Sequence, residues 1–103
     1  MKAVIVQTTC VDSIEAHTIA NVLLKKGLAA CIQIADIESF YQWKGEICND
    51  TEKLLSIKTK KENFEKIKSR IKELHSYDVP EIVSVDITNL SEEYKKFIGE
   101  STL

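Results

Sequence analysis

The chain contains two histidines, one proline and three tyrosines, and one of each falls within "HSYDVPE", residues 75–81. Imidazole, phenol and carboxylate side chains packed this densely can ligate a divalent cation. With a lysine added they can hold an anionic small molecule, and His75 alone could move a proton as acid or base. The same residues also suit a plain connection. His75 ends a helix where a cation meets the negative end of the dipole, and Pro80 keeps Val79 extended. Chemistry here therefore needs neighbours from other elements. Lys58 is a candidate, since it stands among apolar residues at the end of a strand.

The thiols are the other possible ligands. Cys10, Cys31 and Cys48 are odd in number and show no C-x-x-C spacing, so neither a disulfide framework nor a zinc knuckle is expected. Cys31 lies inside a strand and reads as a small buried hydrophobe. Cys10, at a strand end beside a helix N-terminus, is expected to be the accessible and activated thiol. There is no glycine-rich phosphate loop and no G-x-S-x-G motif.

These residues must be positioned by a small scaffold. A chain of 103 residues supports one domain, 1–103, with one core. A net charge of -2 gives no basic face of the kind nucleic acid requires. The start "MKAVIVQTTC" is too short in apolar residues for a leader or a membrane span, and the expectation is a cytoplasmic protein.

"KAVIV" is a β-branched run typical of a central strand. Asp12 and Glu15 form a capping-box pattern before a helix whose apolar face is Ala16, Ile19, Ala20 and Leu23, and Gly27 ends it. "LAACIQIADIESFYQW" is a long second strand, "WKGE" a tight turn with Gly45 at positive φ, and a third strand follows. The polar "NDTEK" is expected to interrupt that strand, as a bulge would. Thr59 with Glu62 forms a second capping-box pattern ahead of a helix carrying Phe64, Ile67, Ile71 and Leu74. "EIVSVDI" alternates as a fourth strand, and Ser91 caps a short last helix. The order βαββαβ plus a helix predicts an α+β ferredoxin-like sandwich with a long β2–β3 hairpin, one face of its sheet left uncovered. Phe40, Tyr41 and Trp43 lie near the hairpin tip. A projecting two-stranded ribbon is marginal alone, so these aromatics are expected at an interface or a ligand platform.

Nearly the whole chain, from "VIVQTTC" to "EEYKKFI", resembles the CutA divalent-cation tolerance proteins. The most specific pieces are "LAACIQI", "SFYQWKGEI", "SIKT" and "HSYDVPEIVSVDI", in the family's order and spacing. The chain departs from the usual pattern at Val11 and Ser76, where proline is common, and at Gln33. The resemblance implies a homotrimer packed much like the PII signalling trimers, with the hairpin and sheet edges as contacts. It also implies a role in metal tolerance and the proposed binding of divalent copper. The copper ligands implied are a cysteine near the end of strand one and adjacent histidines ending helix two. Here Thr8 and Leu74 stand at two of those positions, which leaves His75, with Cys10 as the nearest thiol. The expected ligand cleft, between subunits, comprises His75, Tyr77, Glu81, Lys58, Tyr41 and Trp43, open to a divalent cation or a small anion. The competing functions are a non-enzymatic metal-responsive or ligand-sensing trimer, an anchoring trimer, and a small-molecule enzyme using His75.

Overall fold

The computed structural model describes all residues, 1–103. The elements run β1 (Ala3–Cys10), α1 (Ser13–Lys25), β2 (Cys31–Trp43), β3 (Glu46–Lys60), a 3-10 turn (Lys61–Asn63), α2 (Phe64–Leu74), β4 (Val83–Ile87) and α3 (Glu92–Ser101). The strands form one antiparallel sheet in the order β2-β3-β1-β4, the ferredoxin-like arrangement expected from the element order.

Local chemistry sets the boundaries. Asp12 accepts a hydrogen bond from Glu15 N at 2.9 Å and starts α1. Gly27, at φ 69°, ends it in the left-handed conformation, where Leu28 N reaches back to Leu23 O. Lys44 (φ 50°) and Gly45 (φ 81°) make the two-residue turn that joins β2 to β3. Ser91 accepts from Tyr94 N and starts α3.

Strand parity builds the core. Val4, Val6, Thr8 and Cys10 of β1 face the same way as Leu55, Ile57 and Thr59 of β3, and all are buried. Against this face pack Ala16, Ile19 and Leu23 of α1 and Ile67 and Ile71 of α2. The opposite face is partly covered, contrary to expectation. Lys58 alternates with the buried Ile57 and Thr59, so it projects from that face. Its ammonium lies 5.4 Å from the Tyr94 ring centre, which places α3 there. Ile98 of α3 is fully buried.

Two further expectations are corrected. β3 is unbroken: its pairing with β2 runs without a bulge from Trp43↔Glu46 to Cys31↔Lys58, through the polar residues 49–53. β1 ends opposite Lys53, so the rest of the hairpin is a free ribbon wetted on both faces, and there polar residues are ordinary strand residues. Thr59 does not cap α2. Its hydroxyl is buried and donates to Leu28 O at 2.6 Å, while Asn63 Nδ2 donates to the Thr59 oxygen at 3.2 Å. The chain enters α2 through the 3-10 turn, with no side-chain cap.

Candidate functional site: a buried ligand cluster behind an acidic aromatic cleft

The connection between α2 and β4 returns to the end of β1, where the ribbon leaves the sheet. Two sites meet there. The inner one is His75, Cys10 and Glu15, whose potential ligand atoms all lie within 4.8 Å of one another. The His75 side chain is 1% exposed and that of Glu15 11%. His75 Nε2 lies 2.7 Å from Thr9 O, which has only lone pairs, so Nε2 carries the hydrogen. Nδ1 accepts from Tyr77 N at 3.1 Å and therefore presents its lone pair. Glu15 Oε1 is 3.8 Å from Nδ1. Glu15 also accepts from Ser76 N at 2.6 Å and from Val11 N at 3.2 Å, which ties the start of α1 to the far connection. The second half of the capping box is thus spent on Val11 N rather than on the cap residue itself.

Cys10 is not the exposed, activated thiol expected. It is wholly buried, because it continues the parity of Val4, Val6 and Thr8 into the helix-covered face. Burial first, then the charges of Glu15, Asp12 and Glu52, push its pKa up to about 12. The thiol is held protonated and inert unless a cation displaces the proton.

The outer site is a cleft of about 590 Å³. Ser39, Tyr41 and Trp43 of β2 and Glu52 of β3 share one face of the ribbon, and with Thr9 they form one wall. Tyr77 and residues 78–81 form the other. Tyr77 bridges the walls, its hydroxyl donating to Glu52 Oε2 at 2.8 Å. Desolvation and that bond raise the phenol's pKa. Tyr41 donates to Asp50, and this bond, ahead of desolvation, lifts its pKa to about 12.

Of the residues expected in one cleft, Tyr41, Trp43, Tyr77 and Glu81 do meet. His75 does not line it. It stands behind Tyr77, with ring centres 4.7 Å apart, and both its nitrogens face backbone, which removes it as an exposed acid or base. Lys58 belongs to α3's end of the sheet, about 20 Å along β3 from Glu52 at ~3.3 Å per residue. Within one subunit the lining of this cleft therefore has no cationic side chain. Glu15 and Glu52 were missed. Glu52 could have been found by pairing parity, which puts it on the face of Tyr41 and Trp43. Glu15 already had a local role as a capping residue, which hid its long-range one.

The raised pKa values have a consequence in base. Ordinary thiol and phenol values are 9.0 and 10.0, and the folded values lie above them. The stability they represent is complete below about pH 9 and is lost as pH rises toward 12, because the unfolded chain ionises first. Denaturant unfolding at pH 8 and pH 11 is expected to show a drop of about 2 kcal/mol from the thiol alone. A Cys10→Val variant should lose that part of the slope. An equal slope in the variant would show that Cys10 is not responsible.

A ferredoxin-like sandwich with a projecting β2–β3 ribbon, and a thiol, imidazole and carboxylate gathered where β1, α1 and the α2–β4 connection converge, defines the class. The family model described as CutA1 divalent ion tolerance protein matches residues 4–101. The chain belongs to this family. It is 40% identical over 99 residues to the divalent-cation tolerance protein CutA of Pyrococcus horikoshii, covering 96% of this chain and 97% of that one. The solved structure of CutA1 from Oryza sativa superposes with a TM-score of 0.96 at 31% identity, over 100% of this chain and 95% of that one. A structure described as the periplasmic divalent cation tolerance protein CutA of Archaeoglobus fulgidus gives 0.94 at 35% identity, over 96% and 97%. No helix here is long and apolar enough to cross a membrane.

Proposed function

We propose that this chain serves divalent-cation tolerance as a homotrimer of one-domain subunits, each taking a soft divalent cation, copper foremost, at Cys10, Glu15 and His75. The carrying observation is the convergence of thiol, imidazole and carboxylate within 4.8 Å. Sulfur with nitrogen is the donor set that copper and zinc prefer. The tautomer suits the role: Nδ1 is unprotonated and 3.8 Å from Glu15 Oε1, so a cation would take the lone pair now shared with Tyr77 N–H, and Nε2–H to Thr9 O is the outer hydrogen bond that orients a ligating histidine. A cation supplies the charge that draws the proton off Cys10, so binding releases a proton and strengthens with pH.

The trimer is supported by the ribbon. Phe40 is 70% and Ile47 78% exposed on two strands that no third strand flanks, and β2 and β4 are open edges. Three free thiols fit a reducing compartment such as the cytoplasm. The relative from Arabidopsis is named as chloroplastic, so the family is not tied to one compartment.

The test is calorimetric titration of Cu(II), with redox-inert Zn(II) in parallel, into the wild-type protein, Cys10→Ser and His75→Gln. Sedimentation of each sample gives the oligomeric state. A trimer is expected, with each substitution weakening metal binding at least tenfold. Coincident isotherms would remove the cluster as the site, and a monomer at micromolar concentration would remove the assembly.

A further inference from the structure

We propose that loading of the inner cluster unlatches Tyr77 from the ribbon, so that cation occupancy is passed to the β2–β3 hairpin. This inference rests on the cation reading of Cys10, Glu15 and His75, and adds how that site is regulated.

Two successive amides of the α2–β4 connection close on the ligand atoms. Ser76 N–H donates to Glu15 Oε1 at 2.6 Å, and Tyr77 N–H donates to His75 Nδ1 at 3.1 Å. The two acceptors stand 3.8 Å apart. A zinc ion bonds such atoms at about 2.0–2.2 Å, so they are already close to the separation that a cation between them needs. The conflict lies with the donors. An unprotonated imidazole nitrogen has one lone pair, which serves either Tyr77 N–H or the cation. An N–H also turns the positive end of its dipole toward the acceptor, where a cation repels it. A carboxylate has lone pairs to spare, so Glu15 can hold the cation and Ser76 together. Tyr77 N–H has to leave.

Tyr77 ties that amide to the ribbon. Its ring lies 4.7 Å from the His75 ring, and its hydroxyl donates to Glu52 Oε2 at 2.8 Å. β1 ends opposite Lys53, so Glu52 is the first residue of β3 at the root of the free ribbon. The amide bond to Nδ1 and the phenol bond to Glu52 belong to one residue, and displacing the first pulls on the second. With the cluster empty, both bonds hold and the latch is closed. With the cluster loaded, the amide leaves His75 and the phenol leaves Glu52. Coupling of this kind is reciprocal, so breaking the Tyr77–Glu52 bond by other means strengthens cation binding.

Redox-inert zinc is titrated by calorimetry into the assembled wild-type protein and into Tyr77→Phe, which keeps the ring and removes the latch. Hydrogen exchange across residues 76–81 is followed by mass spectrometry with and without zinc. Tyr77→Phe is expected to bind zinc about fivefold or more tighter than the wild type. Zinc should speed exchange across 76–81 in the wild type, the reverse of the protection a bound ligand ordinarily gives. Tyr77→Phe should show that faster exchange without zinc. Circular dichroism and sedimentation check the variant's fold and assembly. No zinc binding by the wild type, or binding left unchanged by Cys10→Ser and His75→Gln, would overturn the cation reading and this inference with it. Zinc binding at the cluster with equal or weaker affinity in Tyr77→Phe, or with exchange across 76–81 slowed or unchanged, would overturn the latch alone.

Discussion

Glu15→Ala is expected to lower the unfolding free energy by about 3 kcal/mol, a large effect for a carboxylate outside the apolar core. Glu15 accepts two backbone N–H bonds, from Val11 and from Ser76. Hydrogen bonds to a charged partner contribute roughly 1.5–3 kcal/mol each, and alanine removes both. The Ser76 bond is long-range, holding the α2–β4 connection against the start of α1, so its loss also loosens the cluster around His75. Glu15→Gln keeps one carbonyl acceptor and should lose about half as much. The alanine substitution also removes the foremost of the carboxylates that raise the Cys10 pKa, so the thiol should titrate at lower pH. Urea unfolding checks the first effect, and a loss below 1 kcal/mol would show the tie to be incidental.

The second large effect is a contrast between two buried threonines given the same substitution. Thr59→Val should destabilise by about 2 kcal/mol, whereas Thr8→Val should stabilise by about 1 kcal/mol. Both residues are fully buried. Thr59 is the centre of a small polar knot: it donates to Leu28 O and accepts from Asn63 Nδ2, which itself lies 3.4 Å from Leu28 O. Valine keeps the shape, removes the hub, and leaves Asn63 and Leu28 short of partners in a dry site. Thr8 Oγ1 has no partner at all, so valine replaces an unsatisfied hydroxyl with a methyl of similar size. Paired denaturation curves decide it. Equal shifts of the same sign would mean that volume, not hydrogen bonding, governs both positions.

That knot also shows where the sequence stops being informative. Thr59 and Glu62 have the spacing of a capping box, but the spacing does not say whether the threonine side chain is free. Strand parity had already assigned it to the core with Leu55 and Ile57, and a long-range carbonyl, Leu28 O, outcompeted the local cap. Where local chemistry had no such rival, at Asp12, Gly27, Gly45 and Ser91, the boundaries were legible. The strands were legible wherever one face is dry, because alternation then has something to alternate against. Residues 49–53 are wet on both sides and carried no such mark. Of the sites, the aromatic wall was legible from its clustering. The depth of His75 behind Tyr77 and the placement of Lys58 beneath Tyr94 were not, since both depend on how distant elements lie on the sheet.

The unbroken pairing of β2 with β3 also sets a rule for how this chain can change length. From Trp43↔Glu46 to Cys31↔Lys58 there is no bulge to absorb a slip. Deleting one residue between Ile37 and Tyr41 turns every side chain beyond the deletion to the other face of the ribbon. Such a deletion takes the aromatic wall away from residues 77–81. Removing two facing residues from each strand shortens the ribbon and leaves its faces as they were. The turn at Lys44 and Gly45, open to solvent and unpaired, can lengthen freely. Descendants of this sequence should therefore differ in the ribbon by matched pairs or at its tip, and a lone insertion in either strand should coincide with loss of the cleft.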